Sequence, residues 1–411
     1  MKKIIKKHLL VCNCIAVVSA VLMGIQGCRQ DREPEIEVAL WNLDVYEDYT
    51  KQVQDLVPDI RIKWVKGQRD LGYYRQLAET GNIPDIITVR KFSLKDSLSL
   101  DPYLMDLTKT EAASAYYDIY LENYKTLDGK VFWVPMSGTV DGIVANKRLF
   151  DKYGIPVPKD FDSFLSACEA FDKHGITGYS LDLHQDYNAL HLLQGMGIEE
   201  LSSVDGIIWR RDYEDGTINQ LDTKVWLPAF KKLERLNMSN ILDQDTMYSD
   251  DLLCYDKFMD GTQAMVNISS ESFSKILPGQ DLEILPYFGR EQDFLLTYPT
   301  FNVAVSKGVE ENSRKKEAAW KVLMAMTSSQ AQEVLNEHTD GLISYKRDIT
   351  FEYSGAMSMV QKYLETNRTY LRLGSEEFFG ISTKTLDGML ENHLSAERAL
   401  DLMNTYLSHP E

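Results

Sequence analysis

The chain carries none of the short signatures of common enzyme classes. It has no G-x-S-x-G, no G-x-x-x-x-G-K-[ST], no H-E-x-x-H and no C-x-x-C. That removes the nucleophile elbow, the P-loop, the helical zinc pair and the dithiol. Histidine is scarce, at seven residues, and His184 and His191 stand seven apart rather than at the i, i+4 spacing of a helical metal pair. We therefore expect no catalytic residues, no metal and no cofactor. Positive charge is also short: 44 Lys and Arg stand against 62 Asp and Glu, a formal net charge of −18. Such a surface repels nucleic-acid phosphates and anionic lipid heads. Five cysteines suggest a disulfide framework until they are placed. Cys12 and Cys14 belong to an N-terminal leader and Cys28 ends it, so Cys168 and Cys254 remain, each inside a helical pattern. Two buried thiols is the preferred reading. Internal repeats, low-complexity runs and long linkers are missing as well.

The leader holds a long apolar run. Leu9 to Ile25 is interrupted only by Asn13, Ser19 and Gly24, and it follows Lys2, Lys3, Lys6 and Lys7. A basic start, an apolar stretch and a small-residue end describe an export signal rather than a lasting transmembrane helix. Ile25-Gln26-Gly27-Cys28 resembles a bacterial lipobox. That resemblance implies a lipidated Cys28 as the mature N-terminus and a protein held on the extracellular face of the cell membrane. The alternative is ordinary cleavage and a free secreted chain. Loss of the four lysines moves the net charge from −18 to −22.

What is present is an ordinary globular composition, 44% hydrophobic and 10% aromatic, in 411 residues. That length exceeds what one core usually organises, so two lobes are expected. After a tether at 28–35, strands at Ile36–Trp41, Ile60–Val65 and Asp85–Val89 alternate with helices, the first capped by Asp44 with Glu47 as a capping box. Alternation argues a parallel, doubly wound sheet, which offers ligands the carboxyl ends of its strands. Residues 129–158 then read as a crossing between lobes. Val131–Val134 is a strand stopped by Pro135, Met136–Thr139 a flexible link, and Gly142–Ala145 a second strand. Asn146 caps the helix Lys147–Tyr153, which Gly154 closes. Beyond it, Asp160 caps a helix whose face is Phe161, Phe164, Leu165, Cys168 and Phe171. Gly206–Asn219 reads as a hairpin-like insertion turning at Asp215-Gly216. Phe301–Ser306 is a strand, Arg314–Glu337 one long helix, and the last helix starts at Ser395.

Several motifs recur in one order. They are Asn82-Ile83-Pro84-Asp85-Ile86, Asp128-Gly129-Lys130 with Val134-Pro135, and Asn146-Lys147-Arg148-Leu149-Phe150 with Tyr153-Gly154-Ile155. Phe258-Met259-Asp260-Gly261-Thr262-Gln263-Ala264-Met265, Ala319-Trp320-Lys321-Val322-Leu323 and Leu394-Ser395-Ala396-Glu397-Arg398-Ala399-Leu400 follow. Each is weak alone; together, across nearly the whole mature chain, they resemble the extracellular solute-binding proteins of bacterial ABC importers, in particular the sugar and oligosaccharide (maltodextrin-type) family. The resemblance implies a two-lobed periplasmic-binding-protein-like α/β clamp, each lobe a mixed or parallel sheet flanked by helices, with a ligand cleft between them. It implies an N-terminal lobe of 36–140 plus 298–345 and a C-terminal lobe of 141–297 plus 346–411. The function implied is capture of a carbohydrate or other small molecule by a monomer and its delivery to ABC permease subunits. A sensor component and a two-carboxylate glycoside hydrolase are the alternatives. Departures from the family pattern include Ser269-Ser270-Glu271-Ser272-Phe273 where a tryptophan is usual, Gly341-Leu342-Ile343-Ser344 without proline, and Tyr298-Pro299-Thr300-Phe301 in place of a glycine-rich turn.

Sugar sites need flat aromatic faces and planar polar groups. Trp41, ending the first strand, either stacks on a ligand or packs under the first helix. Asn42 either meets a hydroxyl or makes a turn. Arg90 either holds hydroxyls or a carboxylate, or is a solvated charge. Asp141, beside the crossing, either reaches the cleft or sits in a turn. Phe273, Tyr298, Phe301 and Phe379 are the remaining aromatic candidates, one of Phe378 and Phe379 being core. Trp226 reads as core.

Overall fold

In the computed structural model, which describes residues 34–181, 183, 186–242, 251–270, 281–288, 293–337, 341–349 and 360–408, two long strands run through the molecule. The chain begins with β1 (Glu35–Leu40), β2 (Arg61–Lys66) and β3 (Ile86–Val89), separated by α1 (Glu47–Leu56) and α2 (Leu71–Glu79), with α3 (Leu94–Ser97) just after β3. The first long strand, β4 (Trp133–Asn146), leads to α4 (Lys147–Tyr153) and α5 (Phe161–Asp172). Then come β5 (Thr177–Ser180), α6 (Asp186–Met196), α7 (Val204–Glu214), α8 (Thr223–Met238), β6 (Gln263–Ser269) and β7 (Leu282–Leu285). The second long strand is β8 (Leu295–Val305), followed by α9 (Ser313–Met326), α10 (Ser329–Glu337), β9 (Thr369–Leu371), α11 (Glu376–Asn392) and α12 (Ala396–Ser408).

The sheet order is β2-β1-β3-β8-β4-β6-β5, with β7 on β4 and β9 on β8. β1 is parallel to β2 and β3, β8 is antiparallel to β3 and β4, and β5 is parallel to β6. Every residue of β4 and β8 is buried, because helices cover both faces of the strip they share. Two groups of buried side chains result. One surrounds β1, β3 and the last half of β8, with Tyr49, Tyr74, Trp133 and Phe301; the other lies among α5, α6, α8, α11 and α12, with Phe164, Trp226 and Phe378. The crossing between them is one strand with a flaw rather than two strands and a loose link. Pro135 pairs with Asn302, and the register slips on either side of Ser137 before Gly138 meets Pro299. A bulge absorbs the proline without ending the ladder. Gly138 is required there: a Cβ would lie 2.6 Å from the Tyr298 carbonyl oxygen.

Several local expectations are met. Asp160 caps α5, in a reciprocal capping box with Ser163, and Gly154 closes α4 at φ 64°. Cys168 and Cys254 are free and buried, and Trp226 is fully buried. Others are corrected. Asp44 does not cap α1, which starts after Tyr46 without a side-chain cap; its carboxylate pairs with Lys66 at 2.7 Å. Asn146 gives no side-chain cap to α4. Residues 204–214 are a helix, not a hairpin arm: Ser203 caps it, and Trp209, Arg210, Tyr213 and Glu214 form its buried face. Only the turn at Gly216, φ 78°, survives from that expectation. The long helix is two, broken at Thr327-Ser328, where the Ser328 hydroxyl accepts from the Ala331 N–H and starts α10.

Candidate functional site

The two lobes meet where the ends of β1 and β3 face the segments after β9 and at the start of α11. Trp41 is set by the sheet beneath it. Its N–H donates to the Thr88 hydroxyl at 2.9 Å, and its indole Nε1 donates to the Thr300 carbonyl at 2.9 Å. Its ring lies 5.5 Å from Phe301 and 6.4 Å from Tyr46, centroid to centroid, and the Arg90 guanidinium stands 5.5 Å from the indole centroid. Asp141, opposite Leu296 on β8 and Ser269 on β6, is 1% exposed. Its Oδ2 lies 3.2 Å from His191 Nε2, on α6, and 3.8 Å from Arg372 Nε.

Arg372 is one residue past β9, where its N–H donates to the Thr297 carbonyl at 2.9 Å. Its guanidinium lies 4.0 Å from the ring centre of Tyr298 and 5.3 Å from that of Phe379, and the same Phe379 ring receives Lys91 Nζ at 4.8 Å. Tyr298 and Phe379 meet edge to face at 6.2 Å. Arg372 is 4% exposed, yet its Nε and Nη1 have no hydrogen-bond partner among the described residues. Burial pulls its pKa down, against the pull of Asp141. Burial, reinforced by Arg372 and Arg90, also holds His191 well below its ordinary value, so its imidazole is neutral at pH 7. Gly374 allows this closeness, since a Cβ there would stand 2.9 Å from the Phe92 carbonyl and 2.6 Å from the Tyr298 ring.

Arg90, Asp141, Tyr298 and Phe379 therefore converge, with Trp41 behind Arg90. Asn42 is exposed and forms a turn at φ 59°, its carbonyl accepting from Val45. Phe301 is enclosed in the first core by Trp41, Tyr46 and Tyr49. Of the adjacent phenylalanines, Phe378 is the core one, against Tyr213 and Trp226. Phe273, Cys28 and His184 lie outside the described residues. Arg372 draws no notice in the sequence, and His191 stands there only as half of a metal pair with His184, set aside on its spacing. Arg372's place just beyond a short β-branched and aromatic strand was the only local signal available. A crevice of about 570 Å³ is lined by, among others, Leu94, Leu127, Arg210, Glu214, Tyr370 and Leu371, and by none of the residues of the Arg372 cluster. Aromatic faces and forked polar groups gathered between two lobes bind a small polar molecule by stacking and hydrogen bonds. Among the described residues no group of three or more His, Cys, Asp or Glu could hold a metal ion.

Comparison with known proteins puts the chain in a family of binding proteins, not of enzymes. Residues 44–348 match the family model described as bacterial extracellular solute-binding protein, and the chain belongs to that family. It is 24% identical over 158 residues to a multiple sugar-binding protein of Streptococcus mutans, covering 37% of each chain. The chain thus spans about two fifths of the length of the curated relatives it matches. Among solved structures, a family 1 extracellular solute-binding protein from Bifidobacterium longum subsp. infantis superposes with a TM-score of 0.76 at 17% identity. That match covers 91% of this chain and 98% of the other. A sugar transporter protein of Bacillus licheniformis in complex with stachyose superposes with a TM-score of 0.64 at 14% identity, over 90% and 98%. At these identities the structures speak for the two-lobed fold.

Proposed function

We propose that this protein captures a carbohydrate outside the cytoplasm and hands it to the permease of an ABC transporter, as a monomer tethered to the membrane through a lipidated Cys28. Binding takes place in the inter-lobe cluster. Arg90, Asp141, His191 and Arg372 supply hydrogen bonds there, and Tyr298 and Phe379 supply ring faces. The lobes divide at the β4–β8 crossing, near residues 140 and 298, and open about the bulge at Ser137 and Gly138. No covalent chemistry is involved: the ligand selects the closed arrangement by bonding to both lobes. The observation that carries this reading is Arg372. Its Nε is 3.8 Å from the Asp141 carboxylate, an ion pair beyond hydrogen-bond distance, and Nε and Nη1 find no hydrogen-bond partner among the described residues. A buried polar group left so costs ~1–3 kcal/mol. Ligand oxygens between the lobes recover that cost. The sugar-binding relative and the stachyose complex support a saccharide.

A thermal-shift screen over mono- and oligosaccharides should raise the melting temperature of the wild type. The same sugar should leave Arg372→Met unshifted. If no saccharide shifts the wild type, the carbohydrate reading fails; an equal shift in Arg372→Met removes Arg372 from the site.

A further inference from the structure

The lobes are joined by a second set of contacts away from Arg372. Glu214, the last residue of α7, extends from the second lobe, and its Oε2 accepts the backbone N–H of Leu94 at 2.8 Å and of Lys95 at 3.3 Å. Leu94 and Lys95 open α3, which follows β3 in the first lobe. Arg210, one turn earlier on α7, places Nη2 3.9 Å from the other carboxylate oxygen of Glu214. A reciprocal link runs beside it: Lys95 Nζ lies 3.4 Å from Glu377 Oε2 on α11 and 4.6 Å from the Tyr213 ring centre. Glu214 is 7% exposed, so opening would return its carboxylate and two peptide N–H groups to water.

We propose that Glu214 is the positioning residue of closure, a latch that holds the two lobes together before any ligand arrives. The inference rests on the clamp reading above, which supplies an open state for the latch to oppose. Hydrogen bonds to a charged acceptor favour the closed arrangement, and desolvation of the same carboxylate opposes it; the closed state raises the Glu214 pKa for that reason. The charged groups acting on it are Arg210 on its own helix and Asp96 on α3, with the backbone N–H groups of Leu94 and Lys95 bonded to it. Opposed terms make an adjustable bias rather than a lock. The contacts of Glu214 involve none of Arg90, Asp141, His191 or Arg372, so the bias can change without touching the proposed ligand-binding groups.

Small-angle scattering of the ligand-free protein tests this with three variants. Glu214→Ala and Glu214→Met both remove the acceptor, and Met keeps the volume. Each should enlarge the radius of gyration, with the closed-to-open ratio falling by roughly tenfold or more. Glu214→Gln keeps a carbonyl oxygen for the Leu94 and Lys95 N–H groups and should stay near the wild-type radius. Circular dichroism should show all three folded. The inference is overturned if Ala and Met scatter as the wild type does, or if Gln and Met cannot be told apart. The clamp reading has a separate failure, in which raffinose, stachyose, maltotriose and xylotriose all leave wild-type scattering unchanged.

Discussion

Replacing Trp41 by alanine separates a wall of the cleft from a pillar of the first core. The indole is 8% exposed, packed on Phe301 and Tyr46, and bonded to the Thr300 carbonyl. Burial of an aromatic side chain removes ~150–250 Å² from water, which at ~25 cal/mol per Å² is ~4–6 kcal/mol as an upper figure. Large-to-small core substitutions of this type cost ~3–5 kcal/mol in practice. The orphaned Thr300 carbonyl adds ~1 kcal/mol. We therefore expect Trp41→Ala to lose about 4–6 kcal/mol of folding stability, a large share of the ~5–15 kcal/mol of an ordinary domain. Urea unfolding followed by tryptophan fluorescence and circular dichroism measures it. Calorimetry with a saccharide found by screening then measures affinity in the folded fraction, where Arg90 has lost the ring 5.5 Å away. A stability loss below ~1 kcal/mol, combined with an affinity loss of ~2 kcal/mol or more, would refute the packing argument and make Trp41 a stacking surface.

Three further expectations follow from local geometry. Gly138→Ala brings a Cβ to 2.6 Å from the Tyr298 carbonyl, so the urea midpoint should drop by an amount matching ~1–3 kcal/mol. Asp101 is pushed by burial, and secondarily by Asp128, from 3.8 to about 7. The native chain then binds the proton more tightly than the unfolded one, and stability from this group falls as pH rises between those values. Asp101→Asn should flatten the melting temperature across that window, raising it near the top and leaving it unchanged near the bottom. With Cys28 lipidated as proposed, Cys28→Ser should release the protein from membranes, because two acyl chains make a stable attachment and among the described residues no helix is long and apolar enough to cross a membrane; retention after a high-salt wash would disprove the anchor.

Local chemistry announced the parts of this fold that depend on few neighbours. The cap at Asp160, the left-handed Gly154 and the apolar face of α5 needed only their own turns. Features decided by distant partners were misread. Pro135 suggested a strand end, but β8 alongside supplies enough hydrogen bonds to carry β4 through a bulge. Asp215-Gly216 suggested a hairpin, while the contacts of Trp209 with Tyr213 and Trp226 make the preceding residues a helix. The candidate site divides the same way. Arg90, Asp141 and Tyr298 stood out from their places at a strand end or beside the crossing. Arg372 did not, and His191 stood out only as a metal ligand to be set aside, because their meeting depends on β4, α6 and the segment after β9 arriving together.

The place of β8 in the sheet sets the order in which the chain can become a structure. It fills the gap between β3 and β4, pairing Ile86 with Val305 on one side and Trp133 with Ala304 on the other. Until residue 305 has been made, the first lobe has two unfinished edges and no neighbour to join them. The same strand also pairs with β9 through Leu295, Leu296 and Thr297, and side chains along it pack in both groups of buried residues. Contacts spanning some 170 residues form slowly, because the loop between them must close before it is rewarded. For a member of an extracellular family, such late completion would suit a chain that is exported before it folds.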